Sequence, residues 1–493
     1  MSTAVLMDIM SIQRYVFNSN ALKENLGASH NIEHFYDIFN HIKGFTGGGN
    51  ALLLFDSKEK AETEIKKFMV ESLKNYPGLT ISCVWEENFD ETNYKESVKN
   101  LFFKMQAEKN KNIPITSLLA HGITSECPRT GLSTETFNKD GNQPEKSGYI
   151  SSVSYSKIAS AKKAEESAQK ILEKMGLTEK YVFSNELDKL GQEEGVDSYI
   201  SIVHIDGNDM GARFSASNSL EKSKNLSTFL KELVKESFKK IISTIDVEID
   251  GIKDCLSLKE EGGKIILPVR PIIMGGDDVT FVSEGRLGIY LASIFLKEFE
   301  KGELPDEEKF TSCAGIAIVK TKYPFYRAYR LAEELCRSAK NTRKEKRQIN
   351  PSINSSFFDF HLSSGGLAGS IEGIRDKQFR NAEGNSVLYR PYDIRDFEGG
   401  NENIISSINQ MKKNLPNSKI KELQRVLTLS KSEQADFLGH MKFRQMKYKN
   451  EKLPLVLGVN YQNNLFVNSR TPFFDMVEMM GLIPQYVIER GEF

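Results

Sequence analysis

Apolar and polar residues alternate in blocks along residues 197–346, and the blocks have the lengths of strands and helices. Unbroken apolar runs predict buried strands, whereas apolar residues that recur every three or four positions predict helices. The predicted elements are, in chain order, strand 199–205, helix 219–243, strand 264–273, strand 279–283, helix 287–300, strand 311–319 and helix 325–340. This β-α-β-β-α-β order, with one further helix, predicts a ferredoxin-like domain.

The first part of the chain repeats this order in a weaker form. Its predicted elements are a strand at 4–7 that ends in Asp8, a helix at 31–42, a strand at 51–55, a helix at 58–74 and a strand at 79–85. A turn of three glycines and an asparagine, at 47–50, precedes the strand at 51–55. We therefore expect an α+β protein that contains two related ferredoxin-like domains.

Two acidic turns follow predicted strands of the second domain. Strand 199–205 runs directly into Asp206, and the turn 275–278 (Gly-Gly-Asp-Asp) joins two later strands. Either turn alone is also typical of an ordinary solvated turn, since Gly and Asp are common turn residues. Together they match polymerase and cyclase palm domains, in which carboxylates from adjacent strands hold two divalent ions about 3.5–4 Å apart. Carboxylate oxygens suit Mg²⁺ or Mn²⁺, so the pair predicts a metal site.

The glycine-rich turn of the first domain lacks these charges. Superposing 48–51 (Gly-Gly-Asn-Ala) on 275–278 retains both glycines and replaces both aspartates by neutral residues. The first domain therefore keeps the backbone turn without the carboxylates. We expect it to be a scaffold or a site for a second nucleotide.

These patterns divide the chain into four predicted regions. They are a degenerate first palm domain at 1–122, a connector of loop and helices at 123–196, a second palm domain with the catalytic hairpin at 197–346, and a mainly helical C-terminal domain at 347–493. Within the connector, 136–148 is polar and rich in turn formers, which predicts a loop, and 156–175 is predicted to be helical.

The composition is that of an ordinary soluble protein, with 39% hydrophobic and 27% charged residues. No apolar run approaches the roughly 18 residues that span a bilayer, and the N-terminus carries no basic leader, so we expect a cytoplasmic protein without membrane insertion. The five cysteines are an odd number without CxxC spacing, which predicts reduced structural thiols.

Attraction to nucleic acid has to come from local patches, because 66 basic residues are balanced by 67 acidic ones. Two stretches qualify. One is 340–347, and the other is 411–449, which carries ten Lys or Arg against three acidic residues. Each is also typical of a solvated helix face.

Several short motifs occur in a familiar order. Residues 8–17 (Asp-Ile-Met-Ser-Ile-Gln-Arg-Tyr-Val-Phe), 22–29 (Leu-Lys-Glu-Asn-Leu-Gly-Ala-Ser) and 47–50 resemble the first palm of the large polymerase-like subunit of type III CRISPR effector complexes. Residues 206–211 (Asp-Gly-Asn-Asp-Met-Gly) and 275–278 resemble the second palm of that family. The resemblance covers about residues 1–345.

The family's paired palms convert ATP into cyclic oligoadenylates, second messengers that switch on effector proteins, when target RNA is bound. The resemblance implies that Asp206, Asp277 and Asp278 are catalytic ligands for two Mg²⁺ or Mn²⁺ ions. Of the hairpin pair we favour Asp277, because related palms place their metal carboxylate at the third position of the turn. The resemblance implies Gly275, Gly276 and Lys340 as contacts of the donor phosphates, and Ser11, Gln13, Gly48, Gly49 and Asn50 as the acceptor pocket. Gly207 and Asp209 are further expected nucleotide-binding residues.

Two features of this sequence differ from the family pattern, and they concern DNA cleavage and a structural zinc site. The chain starts at the first palm and contains no His-Asp dipeptide, so we expect no DNA cleavage. The segment 126–132, which matches the family's zinc-binding segment, has Cys127 as its single cysteine, so we expect no structural zinc. Expected partners are ATP and, through the basic C-terminal region, RNA and CRISPR effector subunits.

Three alternatives stay open. A diguanylate-type cyclase uses the same palm but usually as a homodimer of single domains, a templated polymerase needs a primer-template groove, and a catalytically silent assembly subunit binds RNA or proteins without making product. None of the seven histidines forms a metal pattern. His204, on a predicted buried strand, is typical of a core histidine.

Overall fold

A computed structural model of the chain describes residues 2–47, 49–111, 122–139, 147–191, 198–304, 309–363, 365 and 369–493. Among these residues, no helix has both the length and the apolar character that crossing a membrane requires.

The first palm is a four-stranded antiparallel sheet with helices on both faces. Its elements are β1 (Ser2–Met10), α1 (Ile12–Phe17), α2 (Leu22–Glu33), β2 (Lys43–Gly47), β3 (Asn50–Phe55), α3 (Lys58–Asn75), β4 (Thr80–Phe89) and α4 (Tyr94–Lys111). The strand order β2-β3-β1-β4 is the ferredoxin-like order that the sequence predicts. The predicted domain type is therefore confirmed here.

The helix predicted at 31–42 is wrong, because α2 occupies Leu22–Glu33 and only a short 3₁₀ turn follows, at Asp37–Phe39. Gly27 lies in the middle of α2 and lowers its intrinsic helix propensity. The glycine is needed because a Cβ there would lie 1.8 Å from the carbonyl oxygen of Lys157. Close packing against the connector thus overrides the local preference.

The connector contains β5 (Thr136–Asn138), β6 (Gly148–Ile150), α5 (Ser152–Lys174) and β7 (Tyr181–Val182). The loop predicted at 136–148 is wrong at both ends, because β5 and β6 pair as an antiparallel hairpin. Residues 140–146 lie outside the described part of the chain. Helix α5, predicted at 156–175, packs along α2 of the first palm.

The second palm repeats the same plan and extends it. Its elements are β8 (Tyr199–Gly207), α6 (Met210–Ala216), α7 (Leu220–Val247), α8 (Ile249–Cys255), β9 (Glu260–Glu261), β10 (Lys264–Ile266), β11 (Val269–Gly275), β12 (Asp278–Glu284), α9 (Gly288–Phe299), β13 (Ser312–Lys320), α10 (Phe325–Ile349) and β14 (Phe357–Ser363). The strand predicted at 264–273 is wrong as a single element. Pro268, which has no N–H to donate, lies between β10 and β11, and β10 joins a separate small sheet with β7 and β9.

The C-terminal region is mainly helical, as predicted. Its elements are α11 (Ile371–Gln378), β15 (Tyr392–Asp393), α12 (Ile404–Asn414), α13 (Asn417–Val426), α14 (Lys431–Lys447), β16 (Leu455–Val456), β17 (Val459–Asn460), α15 (Phe473–Leu482) and α16 (Gln485–Arg490). The predicted boundary after residue 346 falls inside α10, and β14 and β15 join the palm sheet in the order β11-β12-β8-β13-β14-β15.

The two palms pack with an approximate two-fold relation. Helix α2 of the first palm contacts β11 of the second, and α7 of the second contacts β2 of the first. A continuous apolar core between them includes Val16 and Phe17 of the first palm and Ile202 and Tyr329 of the second. The palms therefore form one packed unit, in which each hairpin lies beside the helices of the other palm.

Candidate functional site

The acidic turn lies at the carboxyl end of β8, as the sequence predicts. Strand β12 pairs with β8 so that Asp278 stands directly opposite Asp206. Residues opposite each other in adjacent strands project their side chains to the same face of the sheet. Asp277 lies in the turn itself, and its carbonyl oxygen accepts a hydrogen bond of 3.1 Å from the backbone N–H of Gly207. The structure therefore places Asp278 opposite Asp206 in the sheet, and the preference for Asp277 as a metal ligand stays a prediction.

Glycines at this turn serve different purposes. A Cβ at Gly207 would lie 2.9 Å from the Cβ of Asp277, so the close approach of strand and turn requires glycine there. Gly276 has a φ of 63°, which favours glycine for conformational reasons. A Cβ at Gly275 would meet nothing closer than 4.0 Å, so the backbone at Gly275 faces open space.

Burial disfavours ionisation of the two hairpin carboxyls, Asp277 and Asp278. Burial, and next the charge of Asp206, raises the pKa of Asp277 to about 6 and that of Asp278 to about 7. Oδ1 of Asp278 is buried and accepts no hydrogen bond. His204 Nδ1 lies 3.4 Å away, without hydrogen-bond geometry, and burial lowers the pKa of His204 to about 4. His204 is thus a neutral core histidine, as predicted.

Lys340 supplies the positive charge nearest to these carboxylates. Its Nζ lies 2.6 Å from Oδ2 of Asp206 and donates a 3.1 Å hydrogen bond to the carbonyl oxygen of Gly207. Burial opposes the charge of Lys340, but the neighbouring Asp206 outweighs that effect and its pKa is raised. The predicted lysine is therefore part of the site, although it lies inside α10, which continues to Ile349 beyond the predicted end at residue 340.

Asp209 is held by two arginines that the sequence assigned only to a basic stretch. It has a left-handed φ of 60°, and its Oδ2 accepts hydrogen bonds of 3.2 Å from both Arg343 and Arg347. These arginines follow Lys340 at helical spacings of three and seven residues on α10, which places all three on one helix face. That spacing is the signal that identifies them, once α10 is known to face the end of β8.

The first palm reaches the acidic turn through one predicted residue. Gln13 Nε2 lies 3.5 Å from Oδ2 of Asp278, so the site is shared between the palms. Ser11 has a left-handed φ of 54° directly before α1. Gly49 and Asn50 belong to the hairpin of the first palm, and Gly48 lies outside the described residues.

The hairpin of the first palm is a structural counterpart of the acidic turn. Asp8 stands opposite Asn50, as Asp206 stands opposite Asp278. The backbone N–H of Ile9 donates to the carbonyl oxygen of Gly49 at 2.9 Å, which reproduces the bond between residues 207 and 277. Gly47, Gly49 and Asn50 therefore correspond to Gly275, Asp277 and Asp278. The superposition predicted from sequence, with 48–51, is wrong by one residue.

A lysine also recurs in the first palm. Lys109, near the end of α4, forms an ion pair with Asp8. Helix α4 follows β4 of the first palm. Helix α10 likewise follows β13, which has the position of β4 in the sheet of the second palm. The first palm thus keeps an aspartate and a lysine, and has Gly49 and Asn50 where the second palm has Asp277 and Asp278.

The donor atoms at the acidic turn fit a divalent cation. They are carboxylate oxygens, which Mg²⁺ and Mn²⁺ prefer, and one of them, Oδ1 of Asp278, is buried without a hydrogen-bond donor. Within the described ranges, however, no three His, Cys, Asp or Glu side chains are grouped closely enough to hold an ion. Lys340 contacts Asp206 instead, so an ion on Asp206 requires this ammonium group to move.

Comparisons with known proteins agree with this geometry. The family model of Cas10/Cmr2, second palm domain, matches residues 199–349. None of the curated proteins is significantly similar to the chain.

Solved structures share the fold at low sequence identity. The Csm1–Csm4 cassette in complex with cA3 has a TM-score of 0.52 and 15% identity, covering 98% of this chain and 69% of that one. The same cassette with AMPPNP has a TM-score of 0.52 and 15% identity, covering 98% and 70%. Csm1 in T. onnurineus has a TM-score of 0.51 and 14% identity, also covering 98% and 70%.

The family resemblance expected from the sequence is thus confirmed for residues 199–349, which contain the acidic turn, the opposed Asp206 and Lys340. Residues 199–349 are similar to the second palm domain of Cas10/Cmr2, within a chain that shares the fold of the solved Csm1 structures.

Proposed function

We propose that the protein is a metal-dependent nucleotidyltransferase that makes cyclic oligoadenylates from ATP in type III CRISPR or related antiviral signalling. The observation that carries this proposal is the opposed pair Asp206 and Asp278 beside Lys340. Support also comes from the similarly folded Csm1–Csm4 cassette, whose solved structures include complexes with AMPPNP and cA3.

In this reaction the 3′-hydroxyl of one nucleotide attacks the α-phosphate of another. A new O–P bond forms, the bond to the β-phosphate oxygen breaks, the hydroxyl loses its proton and pyrophosphate leaves. Ring closure repeats the step within one oligonucleotide. Two Mg²⁺ or Mn²⁺ ions, held by Asp206, Asp277 and Asp278, would activate the hydroxyl and neutralise the triphosphate.

The chain's own residues position the donor nucleotide. Lys340 would exchange Asp206 for a phosphate oxygen, a contact for which a compact point charge suffices. A Cβ at Gly275 would meet nothing closer than 4.0 Å, so phosphates can approach the backbone there without a steric clash. Catalysis would come mostly from positioning and charge neutralisation.

The first palm would hold the acceptor nucleotide. Gln13 reaches Asp278 from the first palm, which supports an acceptor placed beside the catalytic carboxylates. Ser11, Gly48, Gly49 and Asn50 would line the same pocket, as the resemblance implies.

The decisive experiment is to incubate the purified chain with each NTP and Mg²⁺ or Mn²⁺, with and without RNA, and to identify products by mass spectrometry. We expect cyclic oligoadenylates from ATP. The double variant Asp206→Asn with Asp278→Asn should make none, whereas Asp8→Asn serves as the matched control in the palm without a hairpin carboxylate. Product formation by the double variant would refute the metal assignment. Products from GTP alone would favour a diguanylate-type cyclase, and extension of a labelled primer would favour a polymerase.

One observation favours a second candidate, a catalytically silent assembly subunit. Lys340 already neutralises Asp206, and in the described part of the chain no three potential metal ligands converge. Such a subunit would bind RNA or effector proteins through the basic helices α12–α14. If the protein is such a subunit, no nucleotide should give a product. The double variant should then bind RNA as tightly as wild type does.

A further inference from the structure

A small cavity lies where the two palms meet, apart from the acidic turn. It is enclosed by β2 and the preceding loop of the first palm and by α7 of the second, and its volume is 190 Å³. None of the carboxylates or glycines of the acidic turn lines it. Pockets for drug-sized ligands measure roughly 300–1,000 Å³, so this cavity suits a single small group.

The cavity wall is cationic. Lys224 and Lys231 of α7 both line it, and no acidic residue is among the described residues of its lining. The hydroxyls of Ser227 and Thr228 lie on the same helix face and also line the cavity. Ammonium and hydroxyl groups that converge without an anion are suited to an oxyanion.

The opposite wall adds backbone donors. β2 is an edge strand of the first sheet, so its outer polar groups have no partner strand. The carbonyl oxygen of Thr46 accepts a 3.1 Å hydrogen bond from Lys231, which shows that Thr46 faces α7 and not β3. In an antiparallel strand the N–H and C=O groups of one residue point to the same side of the strand. The N–H and C=O groups of the residue two positions earlier point to that side as well. The N–H groups of Gly44 and Thr46 therefore face the cavity.

Glycine permits this close contact between the palms. A Cβ at Gly47 would lie 2.6 Å from the Oγ of Ser227. Without that side chain, the edge of β2 approaches α7 closely enough for both to contact one small ligand. A ligand bound there would link the two palms directly.

We propose that this interface cavity binds a phosphoryl group, with Lys224, Lys231, Ser227 and the edge of β2 as donors. The size suits inorganic phosphate or pyrophosphate, or the terminal phosphates of a nucleotide whose nucleoside stays outside. Binding there is separate from the metal chemistry at Asp206, because no residue is shared between the two sites.

The test is calorimetric titration of the full chain with inorganic phosphate, pyrophosphate and ATP, in buffer that contains a chelator. Lys231→Met should weaken pyrophosphate binding by about tenfold or more, the effect of losing one charged hydrogen bond. Thr228→Phe, which fills the cavity without removing a charge, should abolish it. Lys240→Met, an exposed lysine of α7 outside the cavity, is the matched control and should change the affinity less than about twofold.

The outcomes show whether the phosphoryl group belongs to a free anion or to a nucleotide. They also distinguish failure of this proposal from failure of the proposed catalytic function. Binding of pyrophosphate identifies a free anion, and binding of ATP alone that is lost in Lys231→Met identifies a nucleotide. The double variant Asp206→Asn with Asp278→Asn should still bind pyrophosphate, so inactivity of the catalytic site leaves this result unchanged. Absence of saturable binding of every ligand tested, or binding by Lys231→Met and Thr228→Phe as tight as that of wild type, would overturn the proposal.

Discussion

The two palms share a backbone plan but differ in charge at one hairpin. Both have the same strand order, an aspartate at the end of the first strand, and a lysine from the helix after the fourth strand paired with it. Asp277 and Asp278 of the second palm are replaced by Gly49 and Asn50 in the first. A hairpin thus keeps its geometry through backbone hydrogen bonds, independently of the carboxylates that make it chemically active.

The charge balance of the two sites follows from this difference. In the first palm Lys109 offsets Asp8, so one cation meets one carboxylate. In the second palm Lys340 pairs with Asp206, no Lys or Arg in the described part of the chain forms an ion pair with either hairpin carboxyl, and burial raises the pKa of both. An excess of acidic groups at one hairpin is the property expected of a cation site.

The largest expected effect is on turnover. Asp278→Asn should reduce cyclic product from ATP by about 10³-fold or more, because charge stabilisation in the transition state is lost. Asp8→Asn should reduce it far less, since the first palm is proposed to bind the acceptor only. Initial rates measured by mass spectrometry at saturating ATP test the contrast. Equal losses in the two variants would mean that the palms contribute equally to catalysis.

The pH dependence of stability should differ between wild type and Asp278→Asn. The folded pKa of about 7 lies above the unfolded value, so the protonated carboxyl is favoured in the folded chain, and stability is lost as the pH rises from about 4 through 7. At pH 8 the variant should therefore be more stable, by at most about 4 kcal/mol, and at pH 4 the two should be equal.

Denaturant unfolding in chelator between pH 4 and 8 measures this difference. Added Mg²⁺ should reduce it, because a cation favours the ionised carboxylate. Parallel stability curves for the two proteins at every pH would contradict the raised pKa of Asp278.

Replacing Lys109 should mainly lower stability, whereas replacing Lys340 should mainly weaken nucleotide binding. Lys109→Met leaves the buried Asp8 without its partner and should destabilise the fold by about 1–3 kcal/mol. Lys340→Met should cost less stability, because the side chain of Asp206 is 39% exposed, but should weaken ATP binding. Thermal unfolding and nucleotide titration of both variants separate the effects. A larger stability loss in Lys340→Met would contradict this comparison of the two ion pairs.

The smallest effect is expected from adding charge to the first palm. Asn50→Asp places a carboxylate opposite Asp8, and the repulsion should lower stability by about 1 kcal/mol. Mn²⁺ should recover that loss if the backbone geometry alone suffices for a cation site. Unfolding midpoints with and without Mn²⁺ measure the recovery, and Asn50→Ala is the uncharged control. Equal responses of the two variants to Mn²⁺ would show that the turn needs more than charge.

Residue pattern alone predicted the strands on either side of the acidic turn and the opposed aspartate, and the family resemblance added the lysine of α10. It misplaced the superposition of the two hairpins because three consecutive glycines, 47–49, allow more than one register. The pairing of Asp8 with Asn50 and the hydrogen bond from Ile9 to Gly49 decide between the registers. The position of Asp278 opposite Asp206 has the same origin, since strand register is a property of two strands together.

What the sequence determined by itself is local: periodicity sets the strands and helices, and residue type sets the acidic turn. Tertiary structure decided everything that depends on distant segments meeting. It extended the palm sheet with β14 and β15, and it brought Gln13 to Asp278 and Arg343 and Arg347 to Asp209. It also joined β2 to α7 around the cationic cavity. Apart from the pairing of β14 and β15, these contacts link residues more than a hundred positions apart, and packing, not local preference, selects them.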